Sequence, residues 1–151
     1  MNLFTHFHSA IAGLIIELVQ AAELPEGLNV ASITVEPPRD PSHGDITTNA
    51  AMVLAKPAKK SPRDIAALLA AKVTDLAGVE AVEIAGPGFL NMRLDADFWH
   101  ARLRDVLDTG TAYGDGATDG HKVNVEYVSA NPTGPMHVGH GRGAVFGDAL
   151  A

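Results

Sequence analysis

The sequence predicts an α+β domain followed by the first β–α step of a separate, incomplete α/β domain. Apolar residues recur at helical spacing near the amino end, and two strand-like runs flank a Gly-Pro-Gly turn in the middle. From Thr109 to Gly120 the chain holds four glycines in twelve residues and lacks apolar periodicity. We therefore expect a domain over residues 1–110, a linker over 111–120 and the start of a second domain over 121–151.

Composition excludes several classes of protein and site. The chain has 151 residues, 46% of them hydrophobic, which suits a globular domain rather than a disordered chain. With no cysteine, it has no disulfides, thiol nucleophile or cysteine-ligated metal. The formal charge of −7 means that contacts with nucleic acid must be local. No uninterrupted apolar run approaches the roughly 20 residues of a bilayer span, and no basic leader precedes Arg39, so we expect no membrane segment and a cytoplasmic location.

The first half of the chain alternates helical and extended signals. Apolar spacings of three and four predict an amphipathic helix over residues 2–22. Residues 30–36 resemble a short strand, and the three prolines between 37 and 45 predict a rigid loop. Asp45 is predicted to be the N-cap of a helix that runs to about Ala55.

The second half of the predicted domain has clearer boundaries. Ser61 followed by Pro62 is a helix start, leading to a helix that ends near Gly78. The runs Val79–Ala85 and Phe89–Leu94 predict an antiparallel hairpin. Asp95 or Asp97 is expected to cap a further helix, on which Phe98, Trp99 and Leu103 pack against the sheet.

Beyond the linker, residues 122–128 resemble a strand, residues 129–135 a turn, and His137 begins a helical pattern. A single strand and helix need neighbouring strands to bury them. We therefore expect the sequence to be a fragment of a longer protein.

Two histidines, His137 and His140, lie three residues apart and thus on one face of the predicted helix start. Three interpretations remain open from spacing alone: surface residues without a role, a metal-binding pair, or donors to a nucleotide phosphate. A helix start offers unpaired N–H groups and the positive end of the helix dipole to an anion, and Gly139 allows close approach.

The stretch around these histidines resembles the HIGH signature region of class I aminoacyl-tRNA synthetases, in the form found in bacterial arginyl-tRNA synthetases. It reads Ser129-Ala130-Asn131-Pro132-Thr133-Gly134-Pro135-Met136-His137-Val138-Gly139-His140. Two earlier segments resemble the amino-terminal additional domain of that family: Ser42-His43-Gly44-Asp45-Ile46-Thr47-Thr48-Asn49-Ala50-Ala51 and Gly86-Pro87-Gly88-Phe89-Leu90-Asn91. The resemblance covers nearly the whole chain, but only about the opening quarter of a family member.

The resemblance implies a ligase that activates L-arginine with ATP and Mg²⁺ and transfers it to tRNA, on a Rossmann-type catalytic domain. It assigns His137, Gly139 and His140 to ATP, with the histidines as catalytic residues, and Glu126 and Asn131 to arginine. Some relatives have a lysine where this chain has Gly134, so the transition-state lysine would come from a later KMSK-type loop. The resemblance implies no tightly bound cofactor and no metal site in the protein.

For the amino-terminal domain the resemblance implies recognition of the tRNA D-loop by Phe89 and Asn91. Alternation along a strand places both on one face, suited to stacking on a base and hydrogen bonding its edge. The alternative is that Phe89 belongs to the core and Asn91 is a polar residue near the turn. Lys56, Lys59, Lys60 and Arg63 form a basic cluster that we expect either to contact phosphates or to be a solvated surface.

The expected partners are therefore tRNA, ATP and L-arginine, with no membrane, and the full-length protein is expected to be a monomer. This fragment alone is expected to be inactive, because the rest of the catalytic sheet and the KMSK-type loop are missing. The alternative function is a free-standing RNA-binding module that uses only residues 1–110.

Overall fold

The computed structural model describes residues 2–117, 120–131 and 133–151. The chain divides into two compact units, Met1–Thr111 and Ala112–Ala151. Residues 118 and 119 of the predicted linker, and Pro132 of the HIGH-type stretch, lie outside the described residues.

The first unit is an α+β domain built on a four-stranded antiparallel sheet with strand order β1-β2-β4-β3. The predicted antiparallel hairpin is confirmed, because β3 and β4 pair directly. In chain order the elements are α1 (Leu3–Gln20), β1 (Val35–Glu36), β2 (Ile46–Thr48), α2 (Ala50–Ala58), α3 (Pro62–Val73), β3 (Val79–Ala85), β4 (Phe89–Leu94) and α4 (Ala96–Thr109), with a short 3₁₀ turn at Pro41–His43 before β2 and another at Gly110–Ala112.

The core lies between one face of the sheet and helices α1, α2 and α3. Leu90, Met92 and Leu94 alternate along β4 and point into it, together with Ile46 of β2. The helices contribute Phe7, Ile11, Leu14, Ile15, Leu18, Ala50, Ala51, Leu54, Ala58, Ile65, Ala66, Leu69 and Val73. Because the apolar residues are used on this side, the opposite face of the sheet is left for polar side chains.

Three predicted helix starts are confirmed by their caps. The Thr5 N–H donates to Asn2 Oδ1 (3.1 Å) at the start of α1. The Asp64 N–H donates to Ser61 Oγ (3.1 Å) before Pro62, and the Phe98 N–H donates to Asp95 Oδ1 (2.6 Å). Each side chain satisfies an N–H that has no partner within its helix.

The predicted helix cap at Asp45 is wrong, because β2 separates this residue from α2. The Asp45 N–H donates to the Met92 carbonyl (2.8 Å), and its carboxylate accepts a bond from the Leu94 N–H (2.8 Å). Asp45 therefore joins β2 to β4. The Ile-Thr-Thr run that follows is β-branched and has alternating burial, which favours a strand over the first turn of a helix.

By length and composition alone, helix α1 is the one helix among the described residues that could cross a membrane, a property shared by core helices of globular domains. Five side chains of α1 lie in the core described above.

The predicted packing of α4 on the sheet is only partly correct. Phe98 is partly buried against the core, with its ring 5.9 Å from that of Phe7 and the Arg102 guanidinium 5.4 Å above it. Trp99 and Leu103 are 40% and 56% exposed. Apolar side chains on α4 therefore do not all belong to the core.

In the second unit the predicted helix is present as α5 (Val138–Leu150), but the strand predicted over 122–128 is not formed. Val123 is 81% exposed. A strand needs hydrogen bonds from a neighbouring strand, and no described residue of this unit provides one.

Candidate functional site

The face of the sheet turned away from the core carries polar residues in register. Thr47 pairs with Asn91 across β2 and β4, and Asn91 pairs with Glu83 across β4 and β3, so these three side chains share one face. Phe89 and Arg93 lie on the same face by the alternation of β4. The prediction that Phe89 and Asn91 share a face is confirmed.

An open cavity of about 480 Å³ lies on this face. Its floor includes Thr47, Ala85, Phe89 and Asn91, and its wall consists of residues 36–40 and His43. Its volume is within the range of about 300–1,000 Å³ typical of small-ligand sites. The site thus joins residues of β2, β3 and β4, which pair only in the folded sheet, to a loop that precedes all three.

The two residues on the cavity floor differ in exposure. Phe89 is 38% exposed, so the alternative that it belongs to the core is wrong, whereas Asn91 is only 5% exposed. The Asn91 side-chain amide has no hydrogen-bond partner within the described part of the chain. Its amide atoms are not among the buried atoms that lack a partner, so they are accessible from the cavity and available to a polar group that enters it.

The wall loop is held by a hydrogen bond within itself and by contacts with β4. The Ser42 N–H donates to Asp40 Oδ1 (2.9 Å), and this bond lowers the pKa of the Asp40 carboxyl below its ordinary value. The Ser42 carbonyl accepts a bond from Arg93 Nη2 of β4 (3.3 Å). Gly44 has φ +109° and lies so close to the Met92 carbonyl that an added Cβ would be 2.6 Å from its oxygen.

A second, smaller cavity of about 80 Å³ adjoins the first. It is lined by Ser42, Ala81, Val82, Glu83 and Arg93, and it shares His43 and Asn91 with the larger cavity. Sequence reasoning assigned no role to Arg39, His43 or Arg93. Two features of the sequence could have identified them. Arg93 continues the two-residue alternation of Phe89 and Asn91 along the strand, and binding residues are often found on loops held by a rigid scaffold, as Arg39 and His43 are.

The basic cluster lies beside the hairpin turn. Lys56, Lys59, Lys60 and Arg63 are all exposed, at the end of α2 and the start of α3. A Cβ added at Gly88 would lie 3.0 Å from the Pro62 side chain, so the start of α3 packs against the turn that precedes Phe89. The fold therefore brings the cluster to the end of the sheet where Phe89 lies, although 26 or more residues separate them in sequence.

The start of α5 in the second unit brings the two histidines together. Their rings stack with centroids 3.8 Å apart. The Gly139 N–H donates to His137 Nδ1 (3.1 Å), and the His137 N–H donates to His140 Nδ1 (3.4 Å). Because both Nδ1 atoms accept hydrogen bonds, each neutral ring carries its proton on Nε2 and can donate from there.

Gly139 allows this arrangement, because an added Cβ would lie 3.0 Å from the ring of His137. Glu126, on the segment where the strand is not formed, and Asn131, in the turn predicted after it, are both exposed, and no hydrogen bond or ion pair among the described residues joins their side chains. The structure does not organise an arginine site around them. Across residues 2–117, 120–131 and 133–151, no cluster of three His, Asp or Glu side chains could hold a metal ion.

Comparison with known families identifies the first unit. The family model described as "Arginyl tRNA synthetase N terminal domain" matches residues 5–94. This match includes the whole sheet and helices α1 to α3, apart from the first residues of α1.

Curated relatives match over the entire chain. An arginine–tRNA ligase from Jannaschia sp. (strain CCS1) is 59% identical over 152 residues, covering 100% of this chain and 26% of the relative. One from Paracoccus denitrificans is 57% identical with the same coverage. The chain thus spans about a quarter of the length of these relatives. The arginyl-tRNA synthetase structure from Thermus thermophilus aligns with 99% of this chain and 23% of its own, at 29% identity and a TM-score of 0.48.

Proposed function

The chain belongs to the family of the arginyl-tRNA synthetase amino-terminal domain, and from this membership we propose that its first unit binds the D-loop of a tRNA at the open face of the sheet. Proteins read RNA loops by stacking unpaired bases on aromatic rings and by hydrogen bonding their edges. Phe89 would provide the ring and Asn91 the amide, while the cluster of Lys56, Lys59, Lys60 and Arg63 would contact phosphates.

The observation that carries this proposal is the unpartnered amide of Asn91 beside the exposed ring of Phe89. Together the ring and the amide supply the stacking surface and the hydrogen-bonding group for base recognition within one cavity. The acidic net charge of −7 makes a general affinity for polyanions a poor explanation, since long-range repulsion opposes it.

The direct test is tRNA binding by Phe89→Ala and Asn91→Ala variants. Loss of one base stack costs about 1–3 kcal/mol, so we expect Phe89→Ala to bind about 5- to 150-fold more weakly. Asn91→Ala should also bind more weakly, because it removes the hydrogen-bonding edge. A D-arm hairpin should compete for the site, whereas an anticodon hairpin should not.

Trp99→Ala is the matched control. Trp99 is an aromatic residue with nearly the same exposure as Phe89, 40% against 38%, but it lies on α4 and does not line the cavity. It should leave binding unchanged. Equal losses in Trp99→Ala and Phe89→Ala, or no loss in either, would rule out the cavity as the RNA site.

The second unit is proposed to contribute part of the ATP and arginine site in a Rossmann-type catalytic domain. His137 and His140 fit an anionic group, because their free Nε2–H donors flank the amino end of α5. Gly139 allows this close packing, and Glu126 and Asn131 would contact the guanidinium and the amino acid once the strand has a neighbour. ATP with Mg²⁺ is the substrate in this proposal.

The complete protein is proposed to be a cytoplasmic, monomeric arginine–tRNA ligase. Its relatives are about four times longer than this chain, so the 151-residue chain should not activate arginine by itself. Arginine-dependent ATP–pyrophosphate exchange by the purified chain would contradict this expectation. The D-loop proposal does not depend on that result.

The alternative of a free-standing RNA-binding module is favoured by one observation. Every buried apolar side chain among the described residues lies between Phe7 and Leu94, so the first unit has its own core. The mass of the native polypeptide in a lysate separates the two accounts. A chain several hundred residues long supports the ligase, and one of about 15.8 kDa supports the module.

A further inference from the structure

His43 occupies a central position on the open face. It lines both the larger cavity with Phe89 and the smaller one with Arg93, and Asn91 is the other residue common to both. Any nucleotide that stacks on Phe89 and reaches Asn91 therefore lies next to the imidazole.

The backbone around His43 is held in place before any ligand arrives. The His43 N–H donates to the Asp40 carbonyl (3.1 Å) and the Gly44 N–H to the Pro41 carbonyl (3.2 Å). The bond from Arg93 to the Ser42 carbonyl adds a connection to β4. Such preorganisation reduces the entropy lost when a ligand is bound.

The His43 ring is free to bind. It is exposed, and neither ring nitrogen makes a hydrogen bond within the described part of the chain. A neutral imidazole has one donor and one acceptor, which matches a hydroxyl or the edge of a base.

The charges around the ring decide what kind of group it contacts. Arg39 and Arg93 line the two cavities, but so do the carboxylates of Glu36, Asp40 and Glu83. With three acidic side chains against two arginines, a phosphate has no net attraction at this point. A neutral polar group avoids that repulsion.

We propose that His43 is a third nucleotide-contacting residue of this site, hydrogen bonded to a neutral edge of the bound nucleotide, either its base or its ribose 2′-hydroxyl. The inference rests on the proposed RNA-binding function and extends it to the loop Pro37–Gly44. The loop then acts as a rigid wall that closes the base pocket opposite β4.

The test compares His43→Ala and His43→Gln with the unchanged 151-residue chain in tRNA binding at several salt concentrations. Loss of one neutral hydrogen bond should weaken binding by His43→Ala about 2- to 10-fold. The salt dependence of the affinity should stay the same, because no phosphate contact is lost. Glutamine keeps a donor and an acceptor and should restore part of the affinity.

Two changes to the RNA show whether His43 contacts a base or a ribose 2′-hydroxyl. A D-loop with single 2′-deoxy substitutions tests the ribose, and one with single abasic sites tests the base. When the altered RNA lacks the hydroxyl or base that His43 contacts, the unchanged chain and His43→Ala should bind it with equal affinity. Such a result with either the 2′-deoxy or the abasic RNA supports the proposal. His100→Ala, on an exposed histidine of α4, is the control and should bind normally.

The proposal is overturned if His43→Ala binds like the unchanged chain, or if its loss comes with a shallower salt dependence, which indicates a phosphate contact. Failure of this inference is separable from failure of the RNA-binding function. If only the role of His43 is wrong, Phe89→Ala still binds tRNA more weakly than the unchanged chain. If the RNA-binding function itself is wrong, the unchanged chain and Phe89→Ala bind tRNA equally.

Discussion

Gly44 has a backbone conformation that a side chain would disturb in two ways. Its φ of 109° and ψ of −157° fall in a region essentially limited to glycine, and the Met92 carbonyl blocks the position of a Cβ. The residue thereby lets the wall loop approach β4. The loop geometry, and with it the position of His43, depends on the absence of a side chain at this residue.

Gly44→Ala should lower the free energy of unfolding by about 2–4 kcal/mol, from backbone strain together with the steric clash. Gly27→Ala is the matched control, since Gly27 also has positive φ (+76°) but an added Cβ there meets nothing within 4 Å. Its cost should be limited to about 1–2 kcal/mol. Urea denaturation measures both, and equal costs would show that the contact with Met92 is unimportant.

Asp40 gives the wall loop a pH dependence. The Ser42 backbone N–H lowers the pKa of the Asp40 carboxyl, followed by the Ser42 side chain, so the ionised form favours the folded loop. The resulting stabilisation is present above the unfolded carboxyl's pKa of about 3.9 and is lost as pH falls through the lower folded value.

The expected observation is an NMR titration in which the Ser42 amide shift follows Asp40 with a midpoint below about 3.9. Asp40→Asn should abolish that titration while retaining an acceptor oxygen. A midpoint at or above the ordinary carboxyl value would contradict the assigned hydrogen bond.

Among the secondary-structure elements, the three-residue strand β2 lies between β1 and β4 and so connects two sides of the site. It pairs with β1 and β4, and Asp45 adds two hydrogen bonds to β4 at its start. The partly buried bond to the Leu94 N–H is the one that a substitution can remove.

Asp45→Ala should cost about 1–3 kcal/mol of stability, because it leaves the Leu94 N–H without its partner. The sensitive measurement is amide hydrogen exchange, in which Leu94 should lose protection more than Leu90 in the middle of β4. Asp45→Asn keeps an acceptor and should retain most of that protection. Uniform loss along β4 would indicate general destabilisation instead.

Helix α5 has no buried side chain, a property that it shares with α4 but not with α1, α2 or α3. Val138, Val145 and Phe146 are 84%, 72% and 70% exposed, and with Arg142 they form one open face of the helix. The helix nevertheless has a complete cap, formed by His137 and His140. Its start is thus determined locally, independently of burial along its length.

For the whole molecule, the positions of the buried side chains indicate that the first unit provides most of the free energy of folding. The largest fully buried side chains among the described residues, from Phe7 to Met92, all lie within Met1–Thr111. A single contiguous core of this kind is what cooperative unfolding requires.

A chain ending after Thr111 should therefore unfold cooperatively, with a Tm within about 3 °C of the 151-residue chain, since a 1 kcal/mol change shifts the Tm of such a domain by roughly 4–8 °C. It should also keep the tRNA affinity attributed to the open face. Thermal unfolding followed by circular dichroism checks the first expectation. Loss of the cooperative transition would mean that residues after 111 contribute to the core.

Sequence patterns determined the elements whose signals are local. The Ser61-Pro62 helix start, the cap at Asp95 and the hairpin around Gly86–Gly88 depend on neighbouring residues and appear as predicted. The position of Phe89 and Asn91 on one face of β4 also followed from a local pattern, the alternation of side chains along a strand. The family resemblance, carried by the HIGH-type stretch and two earlier segments, is confirmed by the family model over residues 5–94 and by curated relatives that match the whole chain.

Only the tertiary structure decided the parts that depend on distant partners. Asp45 is a link between strands because Met92 and Leu94, 47 and 49 residues away, supply its hydrogen bonds. Residues 122–128 remain outside any sheet because strand formation needs an edge to pair with. The wall loop, with Arg39 and His43, reaches Phe89 and Asn91 only through the register of β2 and β4, which local propensity does not encode.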